Sequence, residues 1–442
     1  MDQCRRVCVG AGGAGLTAAR AGLLPGAGYL SVADRAHRRL SVRRTIRGHW
    51  NASIAGRVPP ELWSASRGKD IPMIQTDSKG FEILTQAPAR ISFVGGGTDV
   101  SPYAETYGGA VINATISIYM LARLRLRTDS KVIISANTRA EPLVYPDITK
   151  LRYDGQLDFI KAIVRSVYDR PEGFDLFFHS SLPMHSGLGG SGAMCVAILE
   201  AFNKLKEHHE RLNRYELAER AFQIETVDLG NASGRQDQYA AAFGGINHFE
   251  FIGDSHVRVN LVDIPMAGCR TLDQTLLLLW LGERDPSGRI IEDQIDGIRN
   301  GGDQLEALHA TRSMVPEMGE ALRTVDVQRI GELLDLLWQQ KKRFSRHVST
   351  PEIDRIYERL KQAGMIGGKI TGAGGGGHML ACCEIDSRDE VIAVAESLGA
   401  RSVPFTFVHE GVLSWESSVR TIAPPQTGTY VADKATVDSA DR

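Results

Sequence analysis

From Asp326 to Phe344, apolar side chains recur at Val327, Ile330, Leu333, Leu334 and Leu337, the spacing of a helix that buries one face. The pattern predicts a helix over 326–344 and others over 157–168, 192–207, 214–228, 291–310, 314–325, 351–363 and 387–398. Shorter runs, such as the β-branched and breaker-free 132–136, predict strands. The other expected strands fall over 81–84, 90–94, 111–127, 175–180, 245–251, 274–280, 366–371 and 378–384. This mixture predicts an α+β chain of two lobes, 73–268 and 269–424, with a ligand cleft between them. The polar stretch 425–442 predicts a disordered tail.

Three glycine clusters interrupt the pattern, each beside an apolar segment. Between Leu182 and Cys195, Gly187, Gly189, Gly190 and Gly192 fall with Ser186 and Ser191 in seven residues, directly before a helical run. Ala87 to Gly109 leads a short strand into Gly95, Gly96 and Gly97, followed by Thr98 and Asp99. Gly367 to Leu380 leads a β-like Lys-Ile-Thr stretch into Gly372 and then four glycines that include Gly374 and Gly375. Glycine lets backbone fold tightly around a ligand. A helix N-terminus behind such a loop presents unpaired N–H groups and a positive dipole end to an anion. Flexible linkers lack flanking strands, so the three clusters imply one composite site for a nucleotide and its substrate.

PARISFVGGGTD, then PMHSGLGGSGA, then KITGAGGGGHML resembles the three ordered motifs of the GHMP small-molecule kinases. The middle motif runs from Pro183 through Ser186, Gly187, Leu188, Gly189, Gly190, Ser191 and Gly192 to Ala193, with Gly190 in place of the family's first serine. The resemblance covers roughly Glu82 to Ile422. Within the family, PARISFVGGGTDVSPYAETYGGAVINATI and RQDQYAAAFGGINHFEF are most similar to the D-glycero-D-manno-heptose 7-phosphate kinases, with fucokinase-like enzymes as neighbours.

The resemblance implies ATP and Mg²⁺, and a role for each matched residue. Phosphoryl transfer needs a phosphate cradle, a metal and a group to handle the acceptor proton. Amides from Gly187 to Ala193 are expected to form the cradle. Ser191 and Glu225 match the metal-holding positions, and Mg²⁺ favours such oxygen ligands. Asp237 matches the catalytic base, and Arg90 the basic position that pairs with it and with the transferring phosphoryl group. Arg235 offers a similar charge.

Substrate contacts are expected from the first and third motifs. Gly95, Gly96, Gly97 and Thr98 would bring backbone beside a sugar, and Asp99 would accept from two vicinal hydroxyls. Gly372, Gly374 and Gly375 would close the far side. Gly96-Gly97 stands where galactokinases carry Glu-His, which argues against galactose. A sugar phosphate would need cations, and Lys341, Lys342 and Arg343 are the candidates. Leu281-Gly282 stands where a heptose kinase is expected to carry Thr-Gly.

The first 72 residues differ in kind, with eleven arginines and one lysine against four acids. They contain a G-x-G-x-x-G pattern at Gly10, Gly12 and Gly15, with Asp34 following, the spacing of a dinucleotide fingerprint. A Rossmann unit needs further strands, so the expected readings are a domain remnant, a start assigned upstream of Met73 or a disordered extension. A formal net charge of −2 lends no support to nucleic-acid binding. No apolar run is long enough to span a membrane. The six cysteines show no C-x-x-C pair, so neither a disulfide framework nor a zinc site is expected, and a reducing cytosol fits. The sequence-based expectation is a sugar kinase acting on a heptose 7-phosphate, able to form a homo-oligomer. The alternatives are an L-fucose-type 1-kinase, a catalytically idle sugar and nucleotide sensor, and a flavin or nicotinamide enzyme built on the N-terminal segment.

Overall fold

A computed structural model describes residues 81–418 apart from 184, 254–255 and 284–287. The N-terminal extension with its glycine fingerprint, and the polar tail, lie outside the described residues. The fold is the expected two-lobed α+β arrangement, built around two sheets.

Two of the expected strands are one. β1 (Phe81–Val94) runs unbroken past Pro88, because the proline sits at a register shift against β2 (Gly109–Leu126), where a missing ladder N–H is tolerated. β2 is long enough to serve two neighbours. Its last residues pair with β5 (Phe174–Ser180) and its first with β6 (Ile246–Ile252). β3 (Val132–Ala136) lies parallel to β5, and β4 (Leu143–Tyr145) pairs with β3. β7 (His256–Leu261) extends β6.

The second sheet has the order β11-β8-β10-β9, formed by β8 (Leu276–Trp280), β9 (Met365–Ile370), β10 (His378–Cys383) and β11 (Arg401–Ser402). β12 (Leu413–Ser418) does not join it. It pairs with Phe81–Gln86 of β1, so residues expected to belong wholly to the second lobe close the edge of the first sheet.

The described helices are α1 (Tyr103–Tyr107), α2 (Asp158–Val167), α3 (Gly190–Asn203), α4 (Arg214–Gln223), α5 (Gln236–Phe243), α6 (Met266–Thr275), α7 (Gly288–Asn300), α8 (Asp303–Ser313), α9 (Val315–Thr324), α10 (Val327–Lys342), α11 (Pro351–Gln362) and α12 (Arg388–Ser397). The single helix expected over 291–310 is two. Gly301 takes φ +66°, the left-handed geometry that ends helices, and α8 restarts at Asp303. The helix expected over 214–228 gives way after Gln223 to a π-helical turn, Ile224–Asp228, and such turns often occur at functional sites.

Strand alternation divides the core. Leu276, Leu278, Leu380 and Cys382 face α10 and join the core of the first sheet through Ile330, Leu333, Leu334 and Leu337. Leu277, Leu279, Ile370, Met379 and Ala381 point the other way, onto α11 and α12. α10 is therefore the seam, buried on the stripe that its sequence predicts.

Candidate active site

β5 ends in the glycine loop that opens α3. Gly187 and Gly189 take φ +80° and +73°, where a β-carbon is strained. Space is short as well: a Cβ on Gly187 would lie 2.7 Å from the Thr371 carbonyl oxygen, and one on Gly192 2.8 Å from Asp237 Cβ. Gly190 is different, since the nearest atoms to its Cβ position are side-chain carbons of Leu182 and Met120 at 3.5 and 3.8 Å. Glycine in place of the motif's serine thus leaves the loop geometry intact. Gly187→Ala is expected to lower stability by about 1–3 kcal/mol, whereas Gly190→Ser should unfold at the wild-type temperature in a thermal melt; equal melts for the two variants would contradict this loop geometry. The first backbone bond of α3 runs from Ala193 N–H to Gly189 O at 3.0 Å. Ala193 is therefore removed from the expected cradle, and Gly190, Ser191 and Gly192 hold the N–H groups that precede any intrahelical partner.

Arg90, on β1, passes beneath this loop. Its backbone N–H donates to Leu188 O at 2.9 Å, and its guanidinium donates to Gly187 O at 2.7 Å and to Asp237 Oδ1 at 2.8 Å. A second guanidinium nitrogen lies 2.6 Å from the same carboxylate oxygen. Asp237 sits in the first turn of α5, where the helix dipole favours a negative charge. Arg90 is 4 % exposed and Asp237 21 %, so a buried cation holds a carboxylate that reaches solvent.

Glu225 lies in the π-helical turn, where Ser191 Oγ donates to Oε1 at 3.4 Å and Gln238 Nε2 to Oε2 at 2.7 Å. Burial first, then the charge of Asp237, push its carboxyl up from 4.5 to about 7. No cation pairs with Glu225 among the described residues. No cluster of three or more His, Cys, Asp or Glu suited to a metal occurs among the described residues either. Mg²⁺ commonly uses one or two carboxylates and takes its remaining ligands from phosphate and water, so a carboxylate that lacks a counter-charge beside a serine hydroxyl fits that ion.

The first motif forms a wall. Thr98 Oγ1 donates to Gly95 O at 2.8 Å and accepts from Ala110 N–H at 3.0 Å, which fixes the triple glycine. Gln294 of α7 donates to Gly97 O at 2.8 Å. Gly96 lies beside the Gln236 side chain. Asp99 accepts from Gly97 N–H at 3.0 Å, Gln236 Nε2 at 3.0 Å and Gln236 N–H at 3.2 Å. Three of the roughly four lone-pair sites of a carboxylate are thus taken within the protein, which leaves too few for the expected vicinal pair of hydroxyls. Burial, with the charge of Asp237 second, raises its pKa.

The third motif backs onto the second. A Cβ on Gly372 would meet Gly187 Cα at 2.7 Å, and His378 Nδ1 lies 2.7 Å from Ser186 O. Lys341, at the end of α10, donates to Gly372 O. Gly374 and Gly375 instead pack on Val348, with Gly375 N–H bonded to Val348 O at 2.8 Å. Arg343 pairs with Asp303 and Glu306, so carboxylates of α8 already balance its charge.

Residues 158–245 match the GHMP kinases N terminal domain and residues 303–403 the GHMP kinases C terminal domain. The chain is 35 % identical over 337 residues, covering 75 % of itself and 98 % of the relative, to the D-glycero-alpha-D-manno-heptose 7-phosphate kinase of Campylobacter jejuni subsp. jejuni serotype O:2. The chain belongs to the GHMP kinases. Among solved structures it resembles a D-glycero-D-manno-heptose 1-phosphate kinase from Bacteriodes thetaiotaomicron, with TM-score 0.63, 29 % identity and coverage of 75 % and 98 % of the two chains. It shares its fold with Lactococcus lactis galactokinase complexed with galactose, at TM-score 0.62, 20 % identity and coverage of 76 % and 96 %.

This GHMP kinase is a phosphotransferase of the sugar kinase branch. Its structure brings Arg90, Asp237, Ser191, Glu225 and the loop glycines together, with Asp99 joined to α5 through Gln236. Sequence reasoning missed Gln236, Gln238, Gln294, Thr371 and Lys369. Thr371 and Lys369 stand inside the third glycine motif; for the glutamines no sequence signal separates a buried amide from a surface one. Among the described residues no helix is long and apolar enough to cross a membrane.

Proposed function

We propose that this sugar kinase transfers the γ-phosphoryl group of ATP, with Mg²⁺, to the anomeric hydroxyl of D-glycero-D-manno-heptose 7-phosphate. The arrangement that carries the reading is Asp237, held by the buried Arg90 and pressed against the phosphate loop at Gly189. A carboxylate there accepts the hydroxyl proton as the sugar oxygen bonds to the γ-phosphorus and the bond from that phosphorus to the bridging oxygen breaks, with ADP leaving. Arg90 balances charge on Asp237 and on the phosphoryl group in transit. The N–H groups of Gly190, Ser191 and Gly192 receive phosphate oxygens. Ser191 and Glu225 would hold Mg²⁺, which when bound neutralises phosphate charge. The wall of Gly95–Gly97 with Asp99 orients the sugar. The names of the heptose phosphate kinases it resembles support the substrate.

The test is ADP release from Mg²⁺-ATP across a panel of free sugars and sugar phosphates. Turnover with heptose 7-phosphate is the expected result. Turnover confined to a free sugar such as L-fucose would move the substrate and leave the kinase. ATP binding with no turnover on any sugar would point to a sensor.

A further inference from the structure

Two lysines stand where the packing pattern calls for apolar side chains. On α10 the buried stripe of Ile330, Leu334 and Leu337 continues to Lys341. On β9, Lys369 is registered against Leu380, a core residue of β10. Lys341 is 7 % exposed and Lys369 5 %. The two differ in their partners. Lys341 donates to Gly372 O, whereas Lys369 has neither a carboxylate within ion-pair distance nor a hydrogen-bond acceptor among the described residues.

Burying an ammonium without a partner is costly, and the neighbours add to the cost. Burial, then the charges of Lys341 and Arg90, hold the Lys369 ammonium well below the usual lysine range. β9 carries Lys369 toward the phosphate loop. From Lys369 the chain runs through Thr371 to Gly372, and both meet Gly187 of the phosphate loop, whose carbonyl Arg90 also holds. Arg90 has Asp237 to balance it. Among the described residues, no carboxylate balances Lys369.

We propose that Lys369, with Lys341 beside it, forms an anion subsite under the phosphate loop that takes a phosphoryl group of the substrates, either the terminal phosphoryl of the nucleotide or the phosphate carried by the sugar. The proposal rests on the reading of the site as one of phosphoryl transfer.

The experiment uses the full chain and Lys369→Met, which keeps most of the unbranched side chain and removes its charge. Titration calorimetry compares ADP with the non-hydrolysable ATP analogue AMPPNP, and heptose 7-phosphate with the unphosphorylated heptose, with thermal unfolding alongside. The variant is expected to melt at or above the wild-type temperature, since it loses a buried charge that has no partner. Binding of one phosphoryl-bearing ligand should weaken about tenfold or more, while its counterpart without that group stays within about twofold. Weakening of AMPPNP alone assigns the subsite to the nucleotide, and weakening of heptose 7-phosphate alone assigns it to the sugar. Unchanged binding of all four ligands overturns the proposal. So does a variant that melts far lower or fails to fold, because Lys369 would then serve the fold; Lys341→Met, put through the same titrations and melts, provides the independent check. If the wild type binds neither heptose, the substrate reading fails separately, and the nucleotide pair with inorganic phosphate as a third probe still decides the subsite.

Discussion

Asp237→Asn is expected to lower kcat by about 10²- to 10⁴-fold and to leave the KM for ATP within a few-fold. The substitution preserves shape, so the loop contact at Gly189 and Gly192 survives. What it removes is specific. Asparagine cannot take the hydroxyl proton, and its amide leaves Arg90, 4 % exposed, without a counter-charge. A loss seen in kcat and kcat/KM alike marks an interaction made in the transition state, whereas a KM effect alone would mark a binding role. Steady-state kinetics with ATP and sugar varied in turn separates the two. A variant with wild-type kcat would sink the assignment of Asp237 as base. Arg90→Met should lose kcat as well, and the double variant should lose less than the product of the two single losses, because the two side chains are in direct contact.

The pairing of Arg90 with Asp237 is legible in the sequence because its chemistry travels with motifs. Glycines mark where backbone must turn or approach closely, and the resemblance to the family assigns Arg90 and Asp237 to the site beside them. The helical stripe of α10 is legible for a different reason, since one buried face imposes one period. What escapes depends on tertiary context. β1 reads as broken at Pro88, because a proline signals a stop until its partner strand supplies a register shift. β12 carries no signal that six residues cross from one lobe to the edge of the other's sheet. The motif assigns Asp99 to sugar, but Gln236, 137 residues away in sequence, takes two of its acceptor sites. Long-range polar satisfaction of this kind has no local period. Lys369 reads as an ordinary strand residue, and only burial shows that it lacks a partner.

Glu225 yields the second large effect, a dependence of stability on pH in metal-free solution. Burial, then the charge of Asp237, raise its carboxyl from 4.5 to about 7. Between those values the folded protein keeps a proton that the unfolded chain has released, so the unfolded state binds fewer protons and stability falls as pH rises. The contribution is fully present below 4.5 and is lost as pH passes about 7. Glu225→Gln keeps the shape and titrates nothing. In EDTA the variant should therefore match the wild type near pH 4.5 and exceed it at pH 8 by roughly 1–3 kcal/mol, read from urea unfolding at each pH. Asp237→Asn should remove part of the same slope, because it deletes the second cause of the shift. Mg²⁺ with nucleotide should stabilise the wild type at pH 8 and the Gln variant far less, since the charge that strains the empty fold is the charge that would hold the metal. Unfolding curves that run parallel for wild type and Glu225→Gln across the whole pH range would take Glu225 out of the metal site, and would leave Ser191 without the carboxylate that a divalent ion needs.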